Sequence, residues 1–304
     1  MKRYFSSLSK DFARNKMVYF MAIPMLVYYL LFHYAPMYGA SIAFKDFVPR
    51  LGIVNSPWIG FNHFVDFFNG PFFFRLLRNT LMLNFYQLLF CFPAPIILAL
   101  LLNEVMSRKF RRTVQTITYM PHFISLVVVC GLIVDFTSRN GIVNDIAVLF
   151  GFQRSSMLQQ PDLFRPIFIV SQICQEVGWS SIIYMAALTS VSQELYEAAR
   201  IDGAGRWKQT WHITLPGIST TVIILLILKI GNIMNVGFEK IILLQNPSIF
   251  ETADVISSYV YRKGLLEFNY SFSAAVGLFN SVINFIFLIV ANQLSKKYND
   301  ASLW

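Results

Sequence analysis

The chain contains six apolar runs about as long as a membrane-spanning helix, and this feature limits its fold more than any other. A helix that crosses the hydrocarbon core needs roughly 20 mainly apolar residues. We place such runs at 18–40, 80–103, 117–137, 167–190, 217–236 and 273–294. Because backbone amides in hydrocarbon must bond within their own segment, these runs favour helices. The sequence therefore predicts an all-α integral membrane protein with six transmembrane helices.

The composition agrees with this fold class. Charged residues make up 13% of the chain, whereas soluble domains carry roughly 25%. So little polar surface does not cover a water-facing globule, and the mean hydropathy is +0.53. A net charge of +9 could indicate a nucleic-acid partner in a soluble protein. Here the basic residues cluster beside the apolar runs, so we expect them to set topology and expect no nucleic acid.

The distribution of basic residues predicts the orientation, since Lys and Arg accumulate on the cytoplasmic side. With the amino terminus inside, the cytoplasmic segments carry basic residues at the higher density. These are Lys2, Arg3, Lys10, Arg14, Lys16, Arg108, Lys109, Arg111, Arg112, Arg200, Arg206, Lys208, Lys296 and Lys297. We therefore expect a multi-pass protein of the bacterial cytoplasmic membrane with both termini in the cytoplasm.

A polar, glycine-containing stretch, EAARIDGAGRWKQTWHITLPGI, stands between the fourth and fifth apolar runs at 197–218. We expect two short helices along the cytoplasmic surface, broken at Gly203, with Asp202 capping the turn and Pro216 closing the second helix. Trp207 and Trp211 are four residues apart and form a broad apolar anchor of the kind enriched in interface hot spots. The alternative is an amphipathic helix bound to lipid head groups.

The spacing in this stretch resembles the signature loop of importer permeases of the ATP-binding-cassette (ABC) class. That pattern is EAA, three residues, Gly, nine residues, Ile, one residue and Leu-Pro, and every position fits. The resemblance implies that residues 194–216, called the signature loop below, dock on an ATPase subunit and pass its movement to the transmembrane helices. The residues that it assigns to this coupling are Glu197, Ala198, Ala199, Asp202, Gly203, Trp207, Ile213, Leu215 and Pro216.

The same resemblance implies the fold and the partners. It covers a MetI-like permease core at 74–295, preceded by a tail, first helix and outer loop at 1–73, in a single transmembrane domain, 1–304. The partners expected are a second homologous permease, two ATPase subunits and an extracytoplasmic solute-binding protein. Residues 235–247 and 269–285 resemble the branch that serves oligosaccharides and polysaccharides, so the expected substrate is a carbohydrate. The alternatives are another solute or, in a different class, an ion-coupled secondary transporter.

The sequence shows no motif for catalysis. It lacks GxxxxGK[ST], HExxH and GxSxG, the patterns of a nucleotide-binding loop, a zinc protease and a serine hydrolase. The four histidines have no metal-ligand spacing. We expect no enzyme activity, metal site or cofactor in this chain, with ATP and Mg²⁺ bound by the partner ATPase subunits.

Polar residues within the apolar runs predict the substrate path, because such residues are costly at membrane depth and face interior cavities. Gln172, Glu176 and Trp179 share one helical face, which offers a sugar ring both stacking and hydrogen bonds. The fifth run adds Lys229 and a pair of amides, Asn232 and Asn235. Lys229 has three interpretations: contact with an anionic or hydroxyl-rich substrate, a fixed ion pair with Glu176, or snorkelling to an interface. The first is compatible with an acidic saccharide.

Overall fold

The structure, a computed structural model, describes residues 14–299 and 302–303. These residues form helices and turns, with an isolated β-bridge between Lys45 and Trp58. The predicted basic tail residues Lys2, Arg3 and Lys10 lie outside the described residues. The chain divides into two compact units, which are described separately.

The first unit contains the chain up to Phe68 together with Lys263–Leu278. Its helices are Lys16–Tyr29, Leu30–Tyr34 (π), Ala35–Met37, Tyr38–Phe44 (3₁₀), Gly52–Asn55 and Asn62–Phe68. The Phe44 and Trp58 rings stack with centroids 5.6 Å apart. Three residues after Phe44, the backbone N–H of Phe47 donates to the hydroxyl of Ser271, a residue far along the chain, at 2.8 Å.

The second unit contains Asn69–Arg262 and the residues from Phe279 onward. Its α-helices are Phe73–Tyr86, Pro93–Glu104, Arg108–Tyr119, Leu126–Thr137, Ile142–Leu149, Pro161–Leu188, Gln193–Ile201, Arg206–Gln209, Leu215–Ile230, Phe238–Leu244, Phe250–Ala253 and Ile256–Tyr261. Its other helical segments are Gln87–Cys91 (π), Met120–Phe123 (3₁₀), Met157–Gln159 (3₁₀), Thr210–Thr214 (π) and Pro247–Ile249 (3₁₀). The π-helix Arg262–Leu266 and the last helix, Tyr270–Asn299, belong to both units.

Five helices of the described chain are long and apolar enough to cross a membrane. They are Lys16–Phe44, Phe73–Glu104, Leu126–Leu149, Arg206–Ile230 and Tyr270–Lys297. The remaining predicted run, 167–190, falls in a continuous helix of 28 residues, Pro161–Leu188, called the long helix below. The all-helical prediction is therefore confirmed, and the long helix stands apart because polar side chains interrupt its apolar surface.

Two predicted spans have different bounds in the structure. The third was expected to begin at 117, but the chain breaks there into Arg108–Tyr119, a 3₁₀ turn and Leu126–Thr137. The fifth was expected to continue to 236, but its helix ends at Ile230. At that point the backbone N–H of Met234 donates to the Asn284 side-chain oxygen at 2.8 Å. A side chain fifty residues away thus satisfies the unwound backbone.

Wide helical turns accommodate three prolines inside the membrane helices. Pro36, Pro93 and Pro216 each stand two residues after a π-helical segment, namely Leu30–Tyr34, Gln87–Cys91 and Thr210–Thr214. A proline ring clashes with the carbonyl four residues earlier and supplies no N–H, and a π-turn shifts that carbonyl. The prediction that Pro216 closes the second helix is therefore wrong, because Arg206–Ile230 is continuous.

The long helix packs tightly against its neighbours in the second unit. Phe164 and Phe168 are almost fully buried in the main apolar cluster. A Cβ atom built at Gly178 would overlap the carbonyl oxygen of Thr118, so the helix Arg108–Tyr119 crosses here in direct backbone contact. Small residues permit this close approach between membrane helices.

A buried carboxylate organises the segment after the fifth span. Asp254 is completely buried and pairs with Arg262 at 2.8 Å and Arg75 at 3.3 Å. It also accepts a hydrogen bond from the Ser258 hydroxyl at 3.1 Å. The side-chain amide of Asn79 donates to the Asp254 backbone carbonyl at 3.0 Å. These bonds fix the segment to the helix Phe73–Tyr86.

Candidate functional site

The first half of the signature loop is a helix that ends in a glycine turn. The Ser192 hydroxyl caps the start of Gln193–Ile201 by accepting from the Glu194 N–H at 3.2 Å. At the other end, the Gly203 N–H donates to the Arg200 carbonyl at 3.1 Å, and the Ala204 N–H donates to the Ala199 carbonyl at 2.8 Å. This pair of bonds is the Schellman helix ending.

The glycine at 203 is required by backbone conformation, not by crowding. Its φ is +76°, and a Cβ at this position would meet nothing within 4 Å. Only glycine adopts this left-handed conformation without a steric penalty. Asp202 occupies the helix C-cap, yet backbone bonds close the turn, so the role expected for its side chain as the cap is corrected.

The face of this helix and its turn is open. Glu197, Ala198, Asp202 and Gly203 are exposed, and Ala199 is partly exposed. Next to them, the Ile201 side chain is 87% exposed. No other part of the described chain therefore covers this face of the helix.

The second half of the signature loop is connected to the transmembrane helices. The Tyr196 hydroxyl bonds to the Thr214 hydroxyl at 2.9 Å, and the Gln209 amide donates to the Ala204 carbonyl at 2.7 Å. Tyr196 and Ile213 also pack against a buried cluster. That cluster consists of Ala99, Tyr184, Leu188, Val191 and Ile218. A displacement of the exposed half of the signature loop would therefore be transmitted directly to three helices. These are Pro93–Glu104, the long helix and Leu215–Ile230.

The last coupling residues lie at the start of the continuous helix. Leu215 is partly buried, and Pro216 is exposed. Trp207 is 77% exposed and lines a groove with Trp211 against the helix Pro93–Glu104. The structure thus divides the predicted coupling residues into an exposed face, a packed connection and a tryptophan-lined groove.

The polar residues of the predicted substrate path meet around the long helix, with two lysines. The Lys229 ammonium donates to the Gln87 side-chain oxygen at 3.0 Å. The Lys240 ammonium donates to the Gln172 side-chain oxygen, also at 3.0 Å, and Lys240 is only 3% exposed. Both cations are therefore held by neutral amides.

Glu176 has a different partner from the one considered in the sequence. Its carboxylate lies 3.1 Å from the Nδ1 atom of His122, so the fixed ion pair with Lys229 is not formed. The His122 ring also stacks on Trp179, with centroids 4.6 Å apart and planes at 3°. One face of the indole, which we expected to stack on a sugar ring, is thus covered by imidazole.

Two cavities adjoin this cluster. The first, about 310 Å³, is lined in part by Gln87 and Lys229, and the second, about 530 Å³, by His122 and Lys240. Gln172 and Glu176 line both cavities. The structure therefore brings Gln172, Glu176 and Lys229 together, as predicted for a substrate path.

The other three predicted path residues do not line either cavity. Trp179 stands beside His122, and the two asparagines lie where the fifth span ends. Asn232 donates to the Leu228 carbonyl at 3.1 Å, and Asn235 accepts from the Asn280 amide at 2.8 Å. These bonds give both asparagines a part in ending the helix.

The cluster combines two ammonium groups with carboxylates, since Glu176 lines both cavities and Glu239 lines the second one. Within the described part of the chain, no carboxylate lies within 4.0 Å of the ammonium of Lys229 or Lys240. Burial lowers the pKa of Lys240, which lies outside the apolar spans, to about 8. A bound carboxylate would replace a neutral amide oxygen with a charged acceptor and strengthen the hydrogen bond.

The sequence does not predict the contacts of two members of this cluster. With the fifth span predicted to end at 236, Lys240 falls in the outer loop that follows, although the four apolar residues after it are a signal of burial. For His122 a hydrogen-bonded structural role is expected, and the structure shows that bond, but its partners Glu176 and Trp179 lie more than fifty residues away and are not evident from the sequence. Gln87 was recognised as polar within a span but not as the acceptor for Lys229.

A helical bundle with several apolar spans, a polar cluster beside cavities and an open loop defines a membrane transport subunit. The model of the family described as "Binding-protein-dependent transport system inner membrane component" matches residues 72–300. The chain belongs to this family and is a multi-pass membrane permease. Membership excludes the ion-coupled secondary transporter considered above.

Similar proteins come from Bacillus subtilis (strain 168). The protein LplB is 48% identical over 292 residues, which cover 96% of this chain and 92% of LplB. The polygalacturonan/rhamnogalacturonan transport system permease protein YteP is 46% identical and covers 96% of this chain and 91% of its own length.

A solved structure has the same fold. The crystal structure of a bacterial ABC transporter involved in the import of the acidic polysaccharide alginate contains a chain that superposes with a TM-score of 0.90. The sequences are 46% identical, and the match covers 96% of this chain and 99% of that one. A second structure, of a bacterial alginate ABC transporter in complex with an alginate pentasaccharide-bound periplasmic protein, matches with a TM-score of 0.90 and 44% identity over 97% and 99% of the two chains.

Proposed function

We propose that this chain is the permease subunit of an ABC importer for acidic oligosaccharides or polysaccharide fragments. The observation that carries the acidic assignment is the pair of lysines beside the two cavities, both held by amide oxygens without a carboxylate within 4.0 Å in the described chain. The names of the relatives support it, because polygalacturonan and alginate are polymers of uronic acids.

The cluster provides the groups that such a substrate needs. A uronate carboxylate takes the place of the Gln87 or Gln172 oxygen on a lysine, and the released amide bonds to sugar hydroxyls. Glu176 accepts further hydroxyl hydrogens. For Trp179 to stack on a sugar ring, the imidazole of His122 leaves the indole or the sugar uses the opposite face.

The signature loop supplies the coupling in this proposal. The open face of Glu197, Ala198, Ala199, Asp202 and Gly203 receives an ATPase subunit in the cytoplasm. Movement then passes through the Tyr196–Thr214 hydrogen bond and the packed side chain of Ile213. Leu215 and Pro216 carry it into the fifth span.

The proposed assembly extends beyond this chain. A second permease, two ATPase subunits that bind ATP and Mg²⁺, and an external solute-binding protein complete the importer, and both termini of this chain face the cytoplasm. The periplasmic protein in the alginate transporter structure supports the last of these partners.

Uptake by the complete transporter tests the substrate class. The probes are oligogalacturonate, the same oligomer with its carboxyl groups methyl-esterified, and a neutral maltooligosaccharide of equal length. We expect ATP-dependent uptake of the acidic oligomer and much slower uptake of the other two. Equal uptake of the acid and its methyl ester would overturn the acidic assignment. Uptake of the maltooligosaccharide alone would show that the substrate is a neutral saccharide.

A further inference from the structure

The groove beside the signature loop has walls of two different kinds. Its volume is about 490 Å³, and it lies between the helix Pro93–Glu104 and the start of Arg206–Ile230. Ile97 and Leu101, 55% and 63% exposed, form one wall. Trp207 and Trp211, 77% and 62% exposed, form the other. All four side chains present apolar surface to whatever fills the groove.

The length of the groove decides which class of occupant it suits. Its lining runs from Glu104, at the end of the second span, to Pro93. At 1.5 Å per residue this distance is roughly 16 Å along the helix, about half of the hydrocarbon thickness of roughly 30 Å. A water-soluble ATPase does not reach this depth. The acyl chain of one lipid leaflet does.

The mouth of the groove is charged, and it lies where the apolar span Phe73–Glu104 ends and the apolar span Arg206–Ile230 begins, the position expected for a membrane surface. Arg206 pairs with Glu104 at 3.4 Å, which ties the two walls together at their polar ends. Lys208, one residue beyond Trp207, is exposed. Tryptophan is enriched at this level of membrane proteins because its ring is apolar and its N–H is polar. Basic side chains at the mouth complement an anionic lipid head group.

We propose that this groove binds a phospholipid of the adjacent leaflet, with an acyl chain between the two walls and an anionic head group near Arg206 and Lys208. The bound lipid anchors the second half of the signature loop to the bilayer. It leaves the face around Glu197 and Gly203 free for the ATPase. Trp207 then serves the membrane in place of the ATPase contact expected from the sequence. The fit to the family pattern is unaffected, because Trp207 is not one of its fixed positions.

Quenching of tryptophan fluorescence by brominated phospholipids tests this proposal in the complete transporter. The transporter is placed in nanodiscs of phosphatidylglycerol or phosphatidylcholine, with bromine on the acyl chains or without it. The difference in emission between the natural protein and the variant W207F/W211F isolates these two residues from all other tryptophans. We expect acyl-chain bromine to lower this difference signal at least about twofold, and more strongly with the anionic lipid.

Each remaining outcome contradicts part of the proposal. An unquenched difference signal would show that protein, either the second permease or an ATPase subunit, covers the groove. Equal quenching in both lipids would show that the groove does not select an anionic head group. Substrate uptake plays no part in these measurements, so they stand apart from the test of the proposed function.

Single variants keep the proposal testable if the double variant does not assemble. Trp211 lies four residues beyond Trp207, about 6 Å deeper along the helix. We expect W211F to remove more of the quenching by bromine at the middle of the acyl chain, and W207F to remove more of the quenching by bromine near the head group. The same depth for both residues would contradict an acyl chain lying along the groove.

Discussion

Replacing Lys240 by methionine separates a role in substrate selection from a role in folding. Methionine keeps most of the stem that packs in this buried position, where Lys240 is 3% exposed, and removes the ammonium that donates to Gln172 at 3.0 Å. The variant loses the cation offered to the substrate. It also leaves the Gln172 oxygen without its donor, which costs about 1–3 kcal/mol. Removal of an uncompensated buried charge offsets part of this cost.

The expected loss of uptake follows from the kind of hydrogen bond removed. A hydrogen bond in which one partner is charged contributes about 1.5–3 kcal/mol, and a bond between an ammonium and a carboxylate, both ionised, adds a Coulomb attraction that a neutral ester oxygen does not supply. Since each 1.4 kcal/mol is a factor of ten, K240M should lower kcat/KM for oligogalacturonate by about 10- to 150-fold. For the methyl ester, whose carbonyl oxygen carries no charge, the loss should be several-fold smaller.

The assay is ATP-driven uptake of both oligomers by the reconstituted transporter, with thermal unfolding of the purified complex as the measure of stability. K229M provides the parallel variant, because Lys229 has the same kind of amide partner. Equal losses for the acid and its ester, or a complex that no longer assembles, would refute selection by charge and give these lysines a structural role.

Three further predictions concern protonation and packing. Because burial lowers the pKa of Lys240 to about 8, its positive charge is present below that pH and is lost above it. The ratio of acidic-oligomer uptake to ester uptake should therefore fall as the pH rises through about 8. In K240M this ratio should not change with pH in that range. Asp254→Ala removes the partner of two guanidinium groups and should destabilise the protein by about 3–5 kcal/mol; an unchanged unfolding temperature in detergent would contradict this. Gly178→Ala should cost about 1–3 kcal/mol by overpacking, because the new Cβ meets the Thr118 carbonyl oxygen. The control Gly131→Ala has open space and should unfold at or slightly above the temperature of the natural protein, because alanine is favoured over glycine inside a helix by about 0.5–1 kcal/mol.

Much of the fold follows from local sequence. Length and hydropathy predict the membrane helices, since the cost of an unsatisfied backbone in hydrocarbon leaves few alternatives. Gly203 marks the turn of the signature loop because its φ of +76° favours glycine. The coupling pattern is a local spacing, and all of its fixed positions lie in one continuous segment.

The rest depends on contacts between distant residues. The fifth span ends at Ile230 because Asn284 captures the Met234 N–H, and the local pattern contains nothing about that bond. Lys229 donates to Gln87, and the carboxylate of Glu176 pairs with His122. Pro216 lies inside a helix because the preceding π-turn accommodates it. In the first two cases a distant residue supplied a partner that a single sequence does not reveal, whereas Pro216 is accommodated by an adjacent π-turn that the apolar pattern does not show.

ATP-driven uptake by the variants E197Q and E194Q tests the central claim, that the signature loop transmits the work of an ATPase, most directly. Both glutamates are exposed on the same short helix, and both variants should assemble normally. If Glu197 pairs with a basic residue of the ATPase, E197Q should lose about tenfold or more of its uptake, the cost of breaking a charged pair at an interface. E194Q should keep its uptake. Full uptake in E197Q, or an equal loss in both variants, would contradict the account.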